Sequence, residues 1–268
     1  MIAPFVDAAW LAADTHDVVL ADVRWYLDGR SGRAAYEEGH LPGAVFVDLD
    51  TTLAAPPTAA DGRHPLPSPE VFAAGLAAAG IADDAVVVGY DDAGGVNAAR
   101  LVWMLRAIGQ DAALLDGGIS VASGPLERGA NNRPRAERTP RPWPASRLAG
   151  IDELGTGVLT DARVSGRYRG EFEPVDPRAG HIPGARNLPA SEMLSADGHL
   201  RPDAELRGQI EAIGLGPGDA AITSCGSGVV ACFTALVLEH LGHPEPRLYP
   251  GGFSQWSNSD RPVATGDG

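Results

Sequence analysis

Short apolar runs alternate with helix-length segments along this chain, and the alternation passes through the same order twice. Val19-Leu20-Ala21 and Ala85-Val86-Val87-Val88 have strand length in the first half, as do Val158-Leu159-Thr160 and Ala220-Ala221-Ile222-Thr223 in the second. Helical patterns are expected over Pro69 to Ala79 and Asn97 to Ile108, then again over Asp203 to Ile213 and Val229 to Leu241. Strand-length runs separated by helices predict mainly parallel sheets with crossover helices, so the expected class is α/β in two similar domains.

The repeat is visible in phrases as well as in periodicity. Asp22-Val23-Arg24 followed by Gly39-His40-Leu41-Pro42-Gly43-Ala44 recurs as Asp161-Ala162-Arg163 followed by Gly180-His181-Ile182-Pro183-Gly184-Ala185. Asp22 and Asp161 are 139 positions apart, and His40 and His181 are 141 apart. Leu114-Leu115-Asp116-Gly117-Gly118 likewise returns as Leu248-Tyr249-Pro250-Gly251-Gly252. The expected organisation is a first domain over residues 1–123, a connector rich in Pro and Arg over 124–149, and a second domain over 150–268. The connector lacks apolar periodicity and so should run over the surface.

Composition changes this picture little. At 268 residues, with 44% hydrophobic and 21% charged positions, the chain can bury two cores without metal or disulfide staples. A net charge of -14 argues against a general surface for nucleic acid or anionic membrane. Every basic side chain is arginine, so an anion site here must use guanidinium groups. The N-terminus, Met1-Ile2-Ala3-Pro4-Phe5-Val6-Asp7, has neither a basic leader nor a long apolar stretch, and a cytoplasmic, monomeric protein is expected. The seven histidines and two cysteines show no zinc-site spacing, and no metal or organic cofactor is expected.

Candidate chemistry concentrates in Thr223-Ser224-Cys225-Gly226-Ser227-Gly228-Val229-Val230. A strand should end near Ser224 and a helix begin at Val229 or Val230. In open α/β sheets ligands bind beyond the carboxyl ends of strands, where helix-start N–H groups face outward. A cysteine there gains thiolate character from the helix dipole and the surrounding donors. Gly226 and Gly228 let the backbone curl around the sulfur. Cys232 falls inside the apolar helix and reads as core.

These residues resemble the two-domain rhodanese-like sulfurtransferases, the family of thiosulfate and 3-mercaptopyruvate sulfurtransferases. The resemblance covers almost the whole chain: the paired Asp-x-Arg and Gly-His-x-Pro-Gly-Ala phrases, Tyr90-Asp91 with Asn97-Ala98-Ala99-Arg100, the Cys225 loop, and the stretch from Trp256 to Gly266. It implies a first domain that is structural and walls an active cleft, since Asp91 and Asp92 stand where the repeat places Cys225. It also implies ping-pong transfer. Cys225 takes sulfur from a small anionic donor, 3-mercaptopyruvate or thiosulfate, and a thiophilic acceptor such as cyanide, a thiol or thioredoxin removes it. The uncharged Gly226-Ser227 pair favours 3-mercaptopyruvate, with Ser227 relaying a proton to the leaving enolate. Gly226, Gly228, Val229 and Val230 form the loop that surrounds the sulfur. Arg167 and Arg178 fall at positions that grip the substrate carboxylate, and His40 matches a histidine that faces Ser227.

Val230 departs from the family's usual Thr and removes a hydroxyl from the helix start. The phrase from Gly117 to Val121 lacks the expected tryptophan. A phosphatase of related fold would need Arg where Ala231 stands. A partner-specific persulfide carrier, with little turnover of small donors, is the alternative from outside enzyme catalysis.

Overall fold

The computed structural model describes residues 1–13 and 18–267. They form two compact units: residues 1–13, 18–55, 66–143 and 196–200 make the first, and residues 56–65, 144–195 and 201–267 the second.

The first unit holds β1 (Phe5–Val6), α1 (Ala8–Ala12), β2 (Val18–Asp22), α2 (Gly32–Glu38), β3 (Val45–Phe46), α3 (Leu49–Thr52), α4 (Pro69–Ala78), β4 (Val86–Tyr90), α5 (Ala99–Ala107) and β5 (Ala112–Leu115). The second holds β6 (Val158–Asp161), α6 (Ser165–Arg169), β7 (Arg186–Asn187), α7 (Asp203–Ala212), β8 (Ala221–Ser224), α8 (Ala231–His240), β9 (Arg247–Leu248) and α9 (Gly252–Ser257). Both sheets are parallel, in the orders β1-β5-β4-β2-β3 and β7-β6-β8-β9. A single parallel bridge from Leu148 to Leu248 gives β9 the neighbour that β1 gives β5, which completes the match.

The expected helices are present with slightly tighter bounds. The strand before Cys225 ends at Ser224, and α8 starts at Ala231, one or two residues later than the sequence suggested. Every residue from Ala99 to Arg106 in α5 and from Ala231 to Leu238 in α8 is buried, in α5 including Arg100 and Arg106. Leu159, Tyr168, Ile182, Ile222, Tyr249 and Phe253 form the core of the second unit beneath β6 and β8. Val6, Leu41, Val88, Tyr90 and Leu115 do the same in the first.

The repeated phrases build one clamp in each unit. Arg24 bonds the Asp22 carboxylate and reaches the Gly39 carbonyl at 2.6 Å; Arg163 bonds Asp161 and reaches the Gly180 carbonyl at 2.8 Å. The Tyr36 hydroxyl donates to the Ala44 carbonyl and that of Tyr168 to the Ala185 carbonyl. His40 stacks on Tyr36 with ring centroids 4.1 Å apart, and His181 on Tyr168 at 3.7 Å. Residues 124–143 of the connector keep to the first unit, with Arg138 on the Ala82 carbonyl and Trp143 Nε1 on the Pro67 carbonyl, and residues 144–149 to the second. No helix among the described residues is long and apolar enough to cross a membrane.

Candidate active site

Cys225 lies one residue beyond the end of β8, in a loop closed by three backbone constraints. Ala162 N donates to the Ser224 carbonyl at 2.8 Å, and Phe253 N and Ser254 N donate to the carbonyls of Cys225 and Gly226 at 2.8 Å each. Gly228 sits at φ +74°, and a Cβ there would come within 2.5 Å of the Pro250 carbonyl oxygen, so only glycine fits this turn. Cys225 is 3% exposed and is in no disulfide. Cys232 is fully buried on α8, and its thiol meets the Gly228 carbonyl at 3.3 Å, a packing role that agrees with its place in the sequence.

The first unit shows what such a loop does with an anion. Asp91 follows β4 as Cys225 follows β8, and its Oδ1 accepts from the N–H groups of Ala93 and Gly95 at 2.8 and 2.7 Å. Its Oδ2 accepts from Asn97 and Ala98 at 2.8 and 2.9 Å. Ile119 N closes onto the Asp91 carbonyl as Phe253 N closes onto that of Cys225. The strand–loop–helix unit thus directs successive backbone donors into its centre. In the first unit a carboxylate fills that centre; in the second the equivalent residue is Cys225.

Around Cys225 the side chains are charged and largely buried. Arg163 crosses the ring of Phe253 with its guanidinium carbon 4.1 Å from the centroid. Burial works against the Arg163 charge, yet Asp161, Glu173 and the nearby Cys225 together push its proton affinity above the usual arginine value. Arg167 bonds Glu173 through Nε at 3.2 Å and Nη2 at 2.6 Å, and Asp176 through Nη2 at 3.3 Å. Arg63 bonds the other Asp176 oxygen through Nη1. Burial raises Glu173, but the Arg167 bond and the N–H groups of Asp176 and Val175 outweigh it and hold the carboxyl below its ordinary range. Asp176 goes the other way: burial pushes it up, against the pull of Arg63. Ser227 Oγ lies 2.8 Å from His64 Nδ1.

Two of the expected site residues make structural bonds within their own units. His40 Nδ1 donates to the Tyr36 carbonyl at 2.9 Å in the interior of the first unit, so its ring serves the clamp of that unit. The imidazole that meets Ser227 belongs to His64. Arg178 donates to four carbonyls, those of Trp256, Ser257, Ser259 and Arg261, at 2.6–2.9 Å. It caps the C-terminal end of α9 and the turn beyond it, a structural use of this guanidinium. Arg167, Gly226, Ser227, Gly228, Val229 and Val230 do gather with Cys225 in the second unit, and Val230 gives α8 no side-chain cap.

Sequence reasoning missed Arg63, His64, Glu173 and Asp176. One signal was available: Ala60-Asp61-Gly62, just before Arg63 and His64, recurs as Ala196-Asp197-Gly198 just before His199. That recurrence marks residues 56–65 as a repeated part of the plan.

The rhodanese-like domain family matches residues 6–123 and 145–259, and the chain belongs to this family. A probable 3-mercaptopyruvate sulfurtransferase of Pseudomonas aeruginosa is 41% identical over 94% of this chain and 93% of its own length. A putative thiosulfate sulfurtransferase of Mycobacterium tuberculosis is 40% identical, covering 93% and 91%. Among solved structures, a 3-mercaptopyruvate sulfurtransferase from Leishmania major aligns at a TM-score of 0.85 with 32% identity, over 95% of this chain and 74% of that one.

Proposed function

We propose that the chain is a sulfurtransferase that carries sulfur as a persulfide on Cys225, with 3-mercaptopyruvate favoured over thiosulfate as donor. The observation that carries this reading is the Ser227–His64 contact of 2.8 Å two residues from the cysteine, in a loop with no basic residue. Transfer from 3-mercaptopyruvate leaves a carbanion that must be protonated, whereas sulfite leaves thiosulfate without needing a proton. A hydroxyl backed by an imidazole supplies that proton.

In the first half-reaction the Cys225 thiolate attacks the thiol sulfur of the donor. The S–S bond forms, the carbon–sulfur bond breaks, and its electron pair stays on carbon as the enolate of pyruvate. The enolate takes a proton from Ser227, which His64 replenishes, and pyruvate leaves. The sulfur remains as Cys225–S–SH and ionises to the persulfide anion. In the second half-reaction a thiophilic acceptor takes the outer sulfur; cyanide becomes thiocyanate and the Cys225 thiolate returns. With thiosulfate, sulfite departs with the electron pair of the broken S–S bond. The loop stabilises the negative sulfur with backbone donors, as the first unit does for the Asp91 carboxylate. No step requires a metal or organic cofactor.

Paired steady-state assays with 3-mercaptopyruvate and thiosulfate as donors to cyanide, following thiocyanate, test the reading with Cys225→Ser as the blank. The expected result is turnover by the wild type, none by Cys225→Ser, and a higher kcat/KM for 3-mercaptopyruvate. A folded wild type inactive with both donors would instead support the partner-specific carrier.

A further inference from the structure

The first turn of α9 makes two attachments, one through its backbone and one through a side chain. The backbone closes the cysteine loop: Phe253 N and Ser254 N donate to the carbonyls of Cys225 and Gly226 at 2.8 Å each. The next residue, Gln255, reaches a different segment. Its Nε2 donates to the Ala60 carbonyl at 2.5 Å, while its Oε1 accepts from the Tyr249 hydroxyl at 2.6 Å. The tyrosine hydroxyl selects the oxygen end of the amide and so aims the NH2 group at Ala60.

Ala60 belongs to a strap, residues 56–65, that packs with the second unit. Thr58 and Gly62 exchange backbone bonds at 3.1 and 2.9 Å, which closes a tight turn around it. Gly62 takes φ +91° and lies against the Gly251 carbonyl so closely that no Cβ could be accommodated. A Cβ on Gly251 would in turn collide with the folded-back Gln255 amide. Two residues beyond Gly62 comes His64, with Nδ1 2.8 Å from Ser227 Oγ. One short turn of helix thus holds the Cys225 loop by its N–H groups and the segment bearing His64 by a side chain.

The internal repeat shows that the fold does not require this second attachment. Leu114 to Gly118 corresponds to Leu248 to Gly252, which sets Leu115 opposite Tyr249 and, in the same register, Val121 opposite Gln255. Ile119 N on the Asp91 carbonyl, matching Phe253 N on that of Cys225, fixes that register in space. Both members of the polar pair are therefore apolar in the unit that lacks the cysteine. There the corresponding strap, residues 196–200, is held from Asp116 instead, through Leu200 N at 2.7 Å. A pair found only beside Cys225 points to a task in the chemistry rather than in packing.

We propose that Gln255, oriented by Tyr249, is a positioning residue that keeps His64 in reach of Ser227 by holding the strap at Ala60. It serves protonation of the leaving enolate and is of little consequence for the departure of sulfite, which takes no proton. The chemistry in this inference rests on the sulfurtransferase reading; the tie between α9 and the strap does not.

Gln255→Val installs the residue that the first unit carries. Hydrogen–deuterium exchange of the full-length protein should show the amides of residues 58–64 exchanging about tenfold faster than in wild type. In turnover, kcat with 3-mercaptopyruvate should fall about tenfold and kcat with thiosulfate no more than about twofold, because a displaced relay slows only the step that needs it. A merely structural loss would lower both donors together. Tyr249→Phe removes only the hydroxyl and should shift the same donor ratio by about threefold; it carries the test where Gln255→Val does not fold. Unchanged exchange over residues 58–64 in both variants overturns the tie. Faster exchange with an unchanged donor ratio overturns the positioning role. A wild type that turns over neither donor removes the sulfurtransferase reading and the relay with it, while faster exchange in Gln255→Val would still establish the tie.

Discussion

Histidine and arginine positions carry the sharpest distinctions at the residue scale. His40 and His181 occupy the same place in two copies of one clamp, each with Nδ1 on a tyrosine carbonyl. His64 instead lies in reach of Ser227. His64→Gln should slow kcat with 3-mercaptopyruvate about 100-fold and affect thiosulfate far less, because only the first donor leaves a carbanion to protonate. His40→Gln should lower the melting temperature with little change in kcat for either donor; a loss of turnover in folded His40→Gln would return that residue to the chemistry. Arg178→Ala should cost about 2–3 kcal/mol of stability by denaturant unfolding, since four carbonyls lose a charged donor, with KM for 3-mercaptopyruvate unchanged. The strand-to-helix turn that holds Cys225 was legible in the sequence because the glycine spacing marks it. The bonds of Arg178 and His40 were not legible because sequence position gives no direction to a side chain. Arg178 turns onto α9, 74 or more positions further along the chain, and nothing local in the sequence announces that contact.

The recurring element is strand, loop and helix, once as β4–Asp91–α5 and once as β8–Cys225–α8. Alternation and repeat were enough to find both, and helix limits moved by only one or two residues, as expected where ends are set by hydrogen bonds rather than by side-chain pattern. The contents of the first loop were not legible. The aspartates were visible, but the four N–H groups converging on Asp91 follow from loop curvature. Asp91→Asn replaces one accepting oxygen with an NH2 group that would face two donors. It should destabilise the protein by about 3 kcal/mol in denaturant unfolding. Thiolate alkylation at Cys225 under native conditions should continue at the wild-type rate. Wild-type stability in Asp91→Asn would mean that the cradle contributes little, and would weaken its use as a guide to the Cys225 loop.

For the whole molecule, the repeat gave two α/β units correctly but assigned each stretch of chain to the nearer half. The compact units divide otherwise. Residues 56–65 belong with the second and residues 196–200 with the first, where Leu200 N bonds Asp116 Oδ1 at 2.7 Å and His199 Nδ1 lies 3.1 Å from Asp116 Oδ2. Such an exchange leaves no trace in hydrophobic period, because both segments are polar turns held by a few specific bonds. Arg63 and His64 reach the site on one of these segments. With a net charge of -14, an anionic donor would have to be held by locally placed arginines, on the proposed reading. On the proposed reading Cys225 is the sulfur carrier. Incubating the full-length protein with 3-mercaptopyruvate in the absence of acceptor, then mapping peptides by mass spectrometry, tests it most directly. The peptide containing Cys225 should gain the mass of one sulfur atom, which cyanide removes and which Cys225→Ser lacks. Sulfur found on Cys232 instead, or on neither cysteine while pyruvate is released, would contradict it.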